Sequence, residues 1–176
     1  MEANGLEPKT DGAGRGNPAL HNRKHLRRLG RVFETYPSPL YYLTICVKHR
    51  KHMLASPAIH DLLARTWREA LEIYGWMVGR YVIMPDHVHF FATADAENAK
   101  DLSGFSGCWK SWTRKQLREA GWETFSWQRE LFDRLLRNNE SYSNKWDYVR
   151  MNPVREQLVE KPEDWPYQGE IHILQM

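Results

Sequence analysis

The sequence contains few cysteines and no long apolar segment, and both absences restrict the kinds of protein it can be. Its 176 residues include two cysteines, Cys46 and Cys108, and neither lies in a metal-binding spacing such as Cys-x-x-Cys. No run of about eighteen apolar residues predicts a membrane span, and the N-terminus lacks the apolar core of a signal peptide. We therefore expect a cytoplasmic protein, in a reducing compartment, that does not bind membranes.

Aromatic residues are frequent, and the two signs of charge are nearly balanced. Eight Trp, eight Tyr and six Phe supply a core, with rings left over for stacking on bases. The 25 Lys and Arg residues barely outnumber the 22 Asp and Glu residues, so the placement of the cations matters more than their surplus. The length predicts one domain plus tails. Because residues 1–20 lack a periodic apolar pattern, we expect a disordered tail and basic arm over 1–35, followed by a single domain over 36–176.

The basic arm is defined by a cluster of cations between His21 and Arg31. No acidic residue interrupts its five lysine and arginine side chains, which are Arg23, Lys24, Arg27, Arg28 and Arg31. Such a block is either a solvated tail or an arm that grips phosphates. The residues by themselves leave both interpretations open.

Hydrophobic periodicity predicts an alternation of strands and helices. Strands are expected over 41–47, 76–84 and 87–93, and a fourth within 125–137. Helices are expected from Ser56 to Gly75, from Ser103 to Ala120 and from Glu140 to Met151. This order favours an α+β fold, a ferredoxin-like (RRM-like) antiparallel sheet with helices on one face. The other face is then available to a ligand or another element.

Two histidines, one residue apart, lie on the third predicted strand. Because alternate side chains of a strand share a face, His87 and His89 point the same way and Val88 points to the other side. Paired neutral imidazoles bind metals, or they hold a phosphate between them. The alternative is a histidine pair that is merely exposed or bonded within a polar network.

Tyr148 and Asn152 are four residues apart in the last predicted helix, so their side chains share one helical face. If this helix crosses the sheet beside the histidines, the Asn152 oxygen can complete a set of two imidazoles and one oxygen on a divalent cation. The Tyr148 phenol then points at a bound phosphate. The alternatives are a core or interface tyrosine and an asparagine that ends a helix before Pro153.

A second group of cations recurs along the helix predicted from Ser103 to Ala120. Three of them are spaced by four residues and a fourth lies beside them: Lys110, Arg114, Arg118 and Lys115. Without an intervening acid these cations repel one another, which favours a phosphate-facing, DNA-binding role over an ordinary solvated face.

Four motifs occur in a fixed order between about Tyr41 and Tyr167. They are Met84–His89 with its two histidines, Trp127-Gln128, the segment Asp147–Arg155 and Asp164–Tyr167. Together they resemble the single-tyrosine HUH transposases, in particular those associated with repetitive extragenic palindromes in bacteria. A His-hydrophobic-His triplet alone is weak evidence, but its combination with Tyr-x-x-x-Asn-Pro-Val about sixty residues later is specific.

The resemblance implies a ferredoxin-like nuclease domain, a monomer or homodimer, that cleaves and rejoins single-stranded or hairpin DNA. It implies that His87 and His89 bind the metal, with Asn152 as third ligand, and that Tyr148 is the nucleophile. The imidazoles also suit Zn²⁺ or Ni²⁺, but family behaviour favours Mg²⁺ or Mn²⁺. One departure is visible, since relatives often carry an acidic residue and then His after the Trp-Gln segment, whereas here Arg134 follows Asp133.

Other phosphoryl-transfer classes fit less well. Histidine-triad nucleotide hydrolases need a third alternating histidine, and that place is occupied by Phe91. Two-histidine phosphoesterases need a second His-x-Thr/Ser element, which the sequence lacks. The remaining rival is a domesticated, non-catalytic binder of DNA hairpins, although binding alone requires neither the histidines nor Tyr148.

Overall fold

The structure, a computed structural model, describes residues 39–94, 99–136 and 139–174. Its strands are β1 Leu40–Cys46, β2 Trp76–Ile83, β3 His87–Ala94, β4 Phe132–Leu136 and β5 Gln168–Glu170. Its helices are α1 Pro57–Arg68, α2 Ala70–Tyr74, α3 Leu102–Glu119, α4 Asn139–Arg150 and α5 Asn152–Arg155, with 3₁₀ turns at Lys48–Arg50 and Pro162–Asp164. Within these residues no helix combines the length and apolarity that a membrane crossing requires.

The predicted N-terminal tail and basic arm lie outside the described residues. This applies to all five cations of the arm: Arg23, Lys24, Arg27, Arg28 and Arg31. Their proposed contact with phosphates therefore stays a prediction.

The strands form one antiparallel sheet in the order β4-β1-β3-β2-β5, which confirms the predicted α+β class. The histidine strand β3 is the central strand. The edge strand β5 was not predicted, because its three residues pair with Arg80–Val82 of β2 through the backbone and show no apolar alternation. The antiparallel register places His89 opposite Thr44 of β1, and Tyr42 of β1 opposite Arg134 of β4.

Helices α1 and α3 cover one face of the sheet, as expected for a ferredoxin-like arrangement. The first helix starts where Ser56 accepts a hydrogen bond from the Ile59 amide and Pro57 occupies the first turn, and α2 ends at Gly75 in the left-handed conformation. Large rings fill the space between helices and sheet, since Trp67 stacks on Trp109 at 5.6 Å and both pack on Phe90. Each such fully buried aromatic side chain contributes about 1.5–3 kcal/mol through the area removed from water.

Two threonines each accept a hydrogen bond from an indole group buried in this core. Thr66 accepts a hydrogen bond from Trp109 Nε1 at 3.0 Å, and Thr113 accepts one from Trp127 Nε1 at 2.8 Å. Both hydroxyls donate in turn to helical carbonyls, of Leu63 and Trp109. These bonds fix the orientation of the Trp109 and Trp127 rings, whereas the buried Nε1 of Trp67 has no hydrogen-bond partner among the described residues.

The opposite face of the sheet is partly covered by α4 and the C-terminal segment. Tyr142 and Val149 of α4 join Phe91 and Trp165 in a second apolar cluster, and Trp165 Nε1 donates to the Ile83 carbonyl at 3.0 Å. The face left free in the ferredoxin-like prediction thus receives another element, the tyrosine-bearing helix. Both histidines lie on the part of this face that α4 does not cover.

We predict that Thr113→Val lowers the free energy of unfolding by about 1–3 kcal/mol, because the isosteric side chain leaves the buried Trp127 indole without an acceptor. Chemical denaturation measures this loss. Thr113→Ser, which keeps the hydroxyl, is the matched control and should retain the bond. A Thr113→Val protein as stable as the wild type would contradict the assignment.

Candidate active site

Two imidazole rings from β3 form the centre of the site. His87 and His89 project from the same face of the sheet, their Nε2 atoms are 2.9 Å apart, and their rings are nearly perpendicular at 84°. His89 is buried, whereas His87 is partly exposed at the rim. Strand alternation alone therefore predicted the orientation of the pair correctly.

An acidic side chain fixes the ring of His87. Asp86 Oδ1 accepts a hydrogen bond from His87 Nδ1 at 2.6 Å, and Asp86 Oδ2 pairs with Arg50 Nε at 2.6 Å. Because a carboxylate can only accept, the Nδ1 atom of His87 carries the proton and its Nε2 lone pair faces His89. Burial lowers the pKa of His87, and this effect outweighs the opposing hydrogen bond to Asp86.

Two hydroxyls from β1 fix the ring of His89. The Tyr42 hydroxyl lies 2.7 Å, and the Thr44 hydroxyl 2.8 Å, from His89 Nδ1. Burial first, and then the charge of His87 when it is protonated and the cations Lys145, Arg50 and Arg155, hold the pKa of His89 well below its ordinary value. Burial likewise raises the pKa of Tyr42 to about 12. At neutral pH the site therefore presents a neutral imidazole beside a neutral phenol.

The turn after β1 places Arg50 next to Asp86, and two of its residues have an uncommon backbone conformation. His49 and Arg50 both have positive φ, 60° and 53°, a conformation that costs non-glycine residues about 1 kcal/mol or more. The turn is held by hydrogen bonds from the Val47 amide to the Asp86 carbonyl and from the Lys48 amide to the Ser126 carbonyl, each 2.8 Å. This backbone orients Arg50 toward Asp86, so the turn supports the histidine site.

Tyr148 lies on α4, at the open side of the same face. Its side chain is 56% exposed, and the Arg155 guanidinium lies 4.0 Å from its ring centroid. Lys145 Nζ is 4.9 Å from this ring and 4.4 Å from the ring of Tyr42. Since Tyr42 also bonds His89, a continuous chain of contacts links the Tyr148 phenol to the histidine pair.

Asn152 lies beyond a break in the helix that the sequence predicted to be continuous up to Met151. Helix α4 ends at Arg150, and Asn152 begins the short helix α5. The Arg155 guanidinium joins the two helices, because it donates to the Tyr148 carbonyl at 2.6 Å and to the Asn152 side-chain oxygen. Tyr148 and Asn152 are thus held together by Arg155 rather than by one helical face.

The histidine pair has the geometry of two neighbouring ligands on one cation. Two ligand atoms about 2.1 Å from a metal and at right angles to each other are separated by about 3.0 Å, close to the 2.9 Å between the Nε2 atoms. Protons at both Nδ1 atoms would find acceptors in Asp86 and in the hydroxyl oxygens of Tyr42 and Thr44. Across residues 39–94, 99–136 and 139–174, no three His, Cys, Asp or Glu side chains form a metal-binding group, so further ligands have to be amide, phosphate or water oxygens.

The four cations of α3 lie on a different surface. This helix packs on the sheet face opposite the histidines, and two of its cations bond loop carbonyls. Lys110 donates to the Gln128 and Arg129 carbonyls, and Arg118 donates to the Phe125 carbonyl. Lys115 is exposed and pairs with Glu119, while Arg114 is exposed and lines a cleft of about 790 Å³. Of the four, Arg114, Lys115 and Arg118 have the exposure that contact with phosphates requires, and Lys110 is partly buried.

Sequence reasoning missed the residues that orient the histidines and surround the phenol. They are Tyr42, Thr44, Arg50, Asp86, Lys145 and Arg155. Tyr42 and Thr44 alternate on β1 with the period of one sheet face, which is the signal that could have indicated them. Asp86 directly precedes His87 in the chain, whereas nothing in the sequence aligns Lys145 with Tyr42.

Comparisons with known proteins agree on one family. Residues 36–152 match the family model described as IS200-like transposase. The chain is 27% identical to a REP-associated tyrosine transposase of Haemophilus influenzae over 138 residues, covering 73% of this chain and 77% of that protein. It is 26% identical over 131 residues to the REP-associated tyrosine transposase of Escherichia coli K12, covering 72% and 73%. The fold resembles a solved REP-associated tyrosine transposase bound to a REP hairpin, with a TM-score of 0.59, 21% identity and coverage of 74% and 75%.

We predict that His89 of the metal-free protein stays neutral as the pH falls through 6.5, since burial and nearby cations oppose its protonation. Lys145→Gln removes one of these cations and should raise the pKa of His89 toward its ordinary value. NMR titration of the imidazole nitrogens in EDTA measures both effects. Lys100→Gln, an exposed lysine at the start of α3, is the control and should change nothing. Titration of His89 at its ordinary pKa in the wild type would contradict this description.

Proposed function

Because the chain belongs to the family of IS200-like transposases, we propose that it cleaves and rejoins single-stranded or hairpin DNA through a covalent bond to Tyr148. The observation that supports this most directly is the shared face of the sheet. It combines two neutral imidazoles whose Nε2 atoms are 2.9 Å apart with an exposed phenol ring that contacts Lys145, which in turn contacts the ring of Tyr42. Binding of DNA alone would need neither feature.

In this proposal His87 and His89 hold one divalent cation, Mg²⁺ or Mn²⁺. Asn152 is the proposed third ligand, since its amide oxygen has two lone pairs and the hydrogen bond from Arg155 uses one of them. A cation bound there supplies Lewis acidity toward a phosphate oxygen. The contribution of the chain itself is to present both rings in one tautomer, through Asp86, Tyr42 and Thr44.

Tyr148 is the proposed nucleophile. Its phenol oxygen forms a bond to phosphorus while the bond to the 3′ oxygen breaks, so that the phenol loses its proton and the leaving 3′ oxygen gains one. The products are a 5′-phosphotyrosine and a free 3′ hydroxyl. Because the phosphodiester energy is kept, the 3′ hydroxyl of another strand can attack the phosphotyrosine and restore a continuous strand without ATP. An exposed ring suits this role, since a DNA strand must approach it from solvent.

Hairpin DNA is the proposed partner, by analogy with the REP hairpin bound in the similar solved structure. The exposed cations Arg114 and Lys115 are proposed to add phosphate contacts. We further propose that the protein acts in the cytoplasm, where its free thiols Cys46 and Cys108 would remain reduced.

We expect Tyr148→Phe to abolish covalent attachment to DNA and to leave hairpin affinity within about twofold, because the phenyl ring keeps its packing and loses only the nucleophile. A labelled hairpin incubated with Mn²⁺ and resolved on denaturing and native gels reads out both properties. Tyr167→Phe, in the C-terminal segment, is the matched control and should still form the adduct. An adduct in the Tyr148→Phe protein would refute the assignment. A wild-type protein that shifts the hairpin without ever forming an adduct would instead be a non-catalytic hairpin binder.

The double variant Tyr42→Phe/Thr44→Val should weaken Mn²⁺ binding by about 10-fold to 100-fold, since the Nδ1 proton of His89 loses its acceptors. Isothermal titration calorimetry measures the change. Tyr81→Phe removes a similar hydroxyl–imidazole bond, to His60 at 2.8 Å, and should leave Mn²⁺ affinity unchanged. Equal Mn²⁺ affinity in the double variant and the wild type would count against the histidine site.

A further inference from the structure

A cleft of about 830 Å³ separates the edge strand β4 from the tyrosine helix α4. It is open to solvent, and Tyr148 forms part of its wall. The other lining residues include two cations and two polar side chains, namely Arg134, Lys145, Ser141 and Asn144. The proposed chemistry uses Tyr148 and Lys145 of this cleft, and it assigns no role to Arg134, Ser141 or Asn144.

No acid among the described residues forms an ion pair with the cations of the cleft. Among the described residues, the ion pairs of this side of the molecule join Arg50 to Asp86, Arg80 to Glu170 and Arg150 to Asp147 and Glu163. Three other cations, Arg134, Lys145 and Arg155, have no such partner among those residues. Burial and then the charges of Arg134 and Arg155 lower the pKa of Lys145, and no carboxylate opposes them. Because cations this close together repel one another, the cleft strongly favours the binding of an anion.

Arg134 reaches the cleft from the same sheet face as the histidines. It is exposed and lies directly opposite Tyr42 in the β1–β4 register, and Tyr42 bonds His89. Two residues earlier on the same face, the ring of Phe132 is 43% exposed. An arginine can bind a phosphate, and an exposed aromatic ring can stack on a base. Because the two lie side by side on the edge strand, they suit a nucleotide better than a free phosphate.

We propose that the β4–α4 cleft binds the backbone of the DNA strand that Tyr148 attacks, with Arg134 and Lys145 each contacting a phosphate. The inference rests on the proposed function, because it takes the scissile strand to lie at Tyr148. It assigns a role to Arg134 of the edge strand β4. Its guanidinium offers a permanent charge and a two-pronged donor to a phosphate.

The first test counts phosphate contacts through the salt dependence of binding. The full chain carrying Tyr148→Phe, which cannot form an adduct, is titrated with a labelled DNA hairpin that has single-stranded extensions at both ends, over a range of KCl concentrations. Arg134→Gln and Lys145→Gln should each reduce the slope of log affinity against log salt by about 0.7–0.9, the value for one lost phosphate contact. Lys100→Gln, an exposed lysine that does not line the cleft, should leave the slope unchanged. Unchanged slopes in both cleft variants would overturn the proposal.

The second test locates the phosphate. Neutral methylphosphonates placed one at a time along the single-stranded extensions should include one position that weakens binding by about 10-fold in the parent protein and has little effect in the Arg134→Gln variant. If every position weakens both proteins equally, Arg134 contacts no phosphate and the proposal fails. Circular dichroism and thermal unfolding of each variant control for folding.

Two further outcomes separate this inference from the function on which it rests. If inorganic phosphate alone raises the melting temperature of the wild type, but not of Arg134→Gln, while the DNA slopes stay equal, the cleft is a free-anion site and the DNA assignment is wrong. If the slopes fall as expected but wild-type protein forms no adduct with the hairpin and Mn²⁺, the cleft assignment stands and strand cleavage at Tyr148 fails.

Discussion

The site depends on the burial of a pair of imidazoles whose Nδ1 atoms are already occupied. Asp86 holds one ring, and the hydroxyls of Tyr42 and Thr44 hold the other, so both Nε2 atoms converge at 2.9 Å. Burial and surrounding cations keep His89 neutral by lowering its pKa, and a neutral ring is the form that donates a lone pair. Without these partners, two histidines on a strand would rotate independently.

The sheet and the strained turn after β1 hold that pair of imidazoles in position. β3 lies at the centre of five strands, where hydrogen bonding on both sides fixes the backbone that carries the rings. The turn after β1 keeps two residues at positive φ and thereby orients Arg50 toward Asp86. The core of tryptophans on the other face supplies the stability that such a costly backbone requires.

The tyrosine helix is attached to this rigid centre mainly through cations and rings. Lys145 lies against the rings of both Tyr42 and Tyr148, and Arg155 joins the end of α4 to the start of α5. Positive charge is thus concentrated where the proposed chemistry would place a phosphate. Electrostatic preorganisation of this kind acts without reorganisation at the moment of reaction.

Much of the fold followed from local patterns in the chain. Alternation on β3 gave the shared orientation of His87 and His89, helical periodicity gave α1 and α3, and the motif order indicated the family. Contacts between segments that are far apart in the chain could not be predicted from any short stretch of sequence. The short strand β5 forms only because β2 offers it a backbone edge, Arg155 of α5 bonds the Tyr148 carbonyl of α4, and Lys145 meets Tyr42 only after α4 docks on the sheet. The sequence by itself therefore determined which chemical groups are present and which face of a strand each side chain occupies. Only the tertiary structure decided which of these groups contact one another, because such contacts depend on how whole helices pack on the sheet.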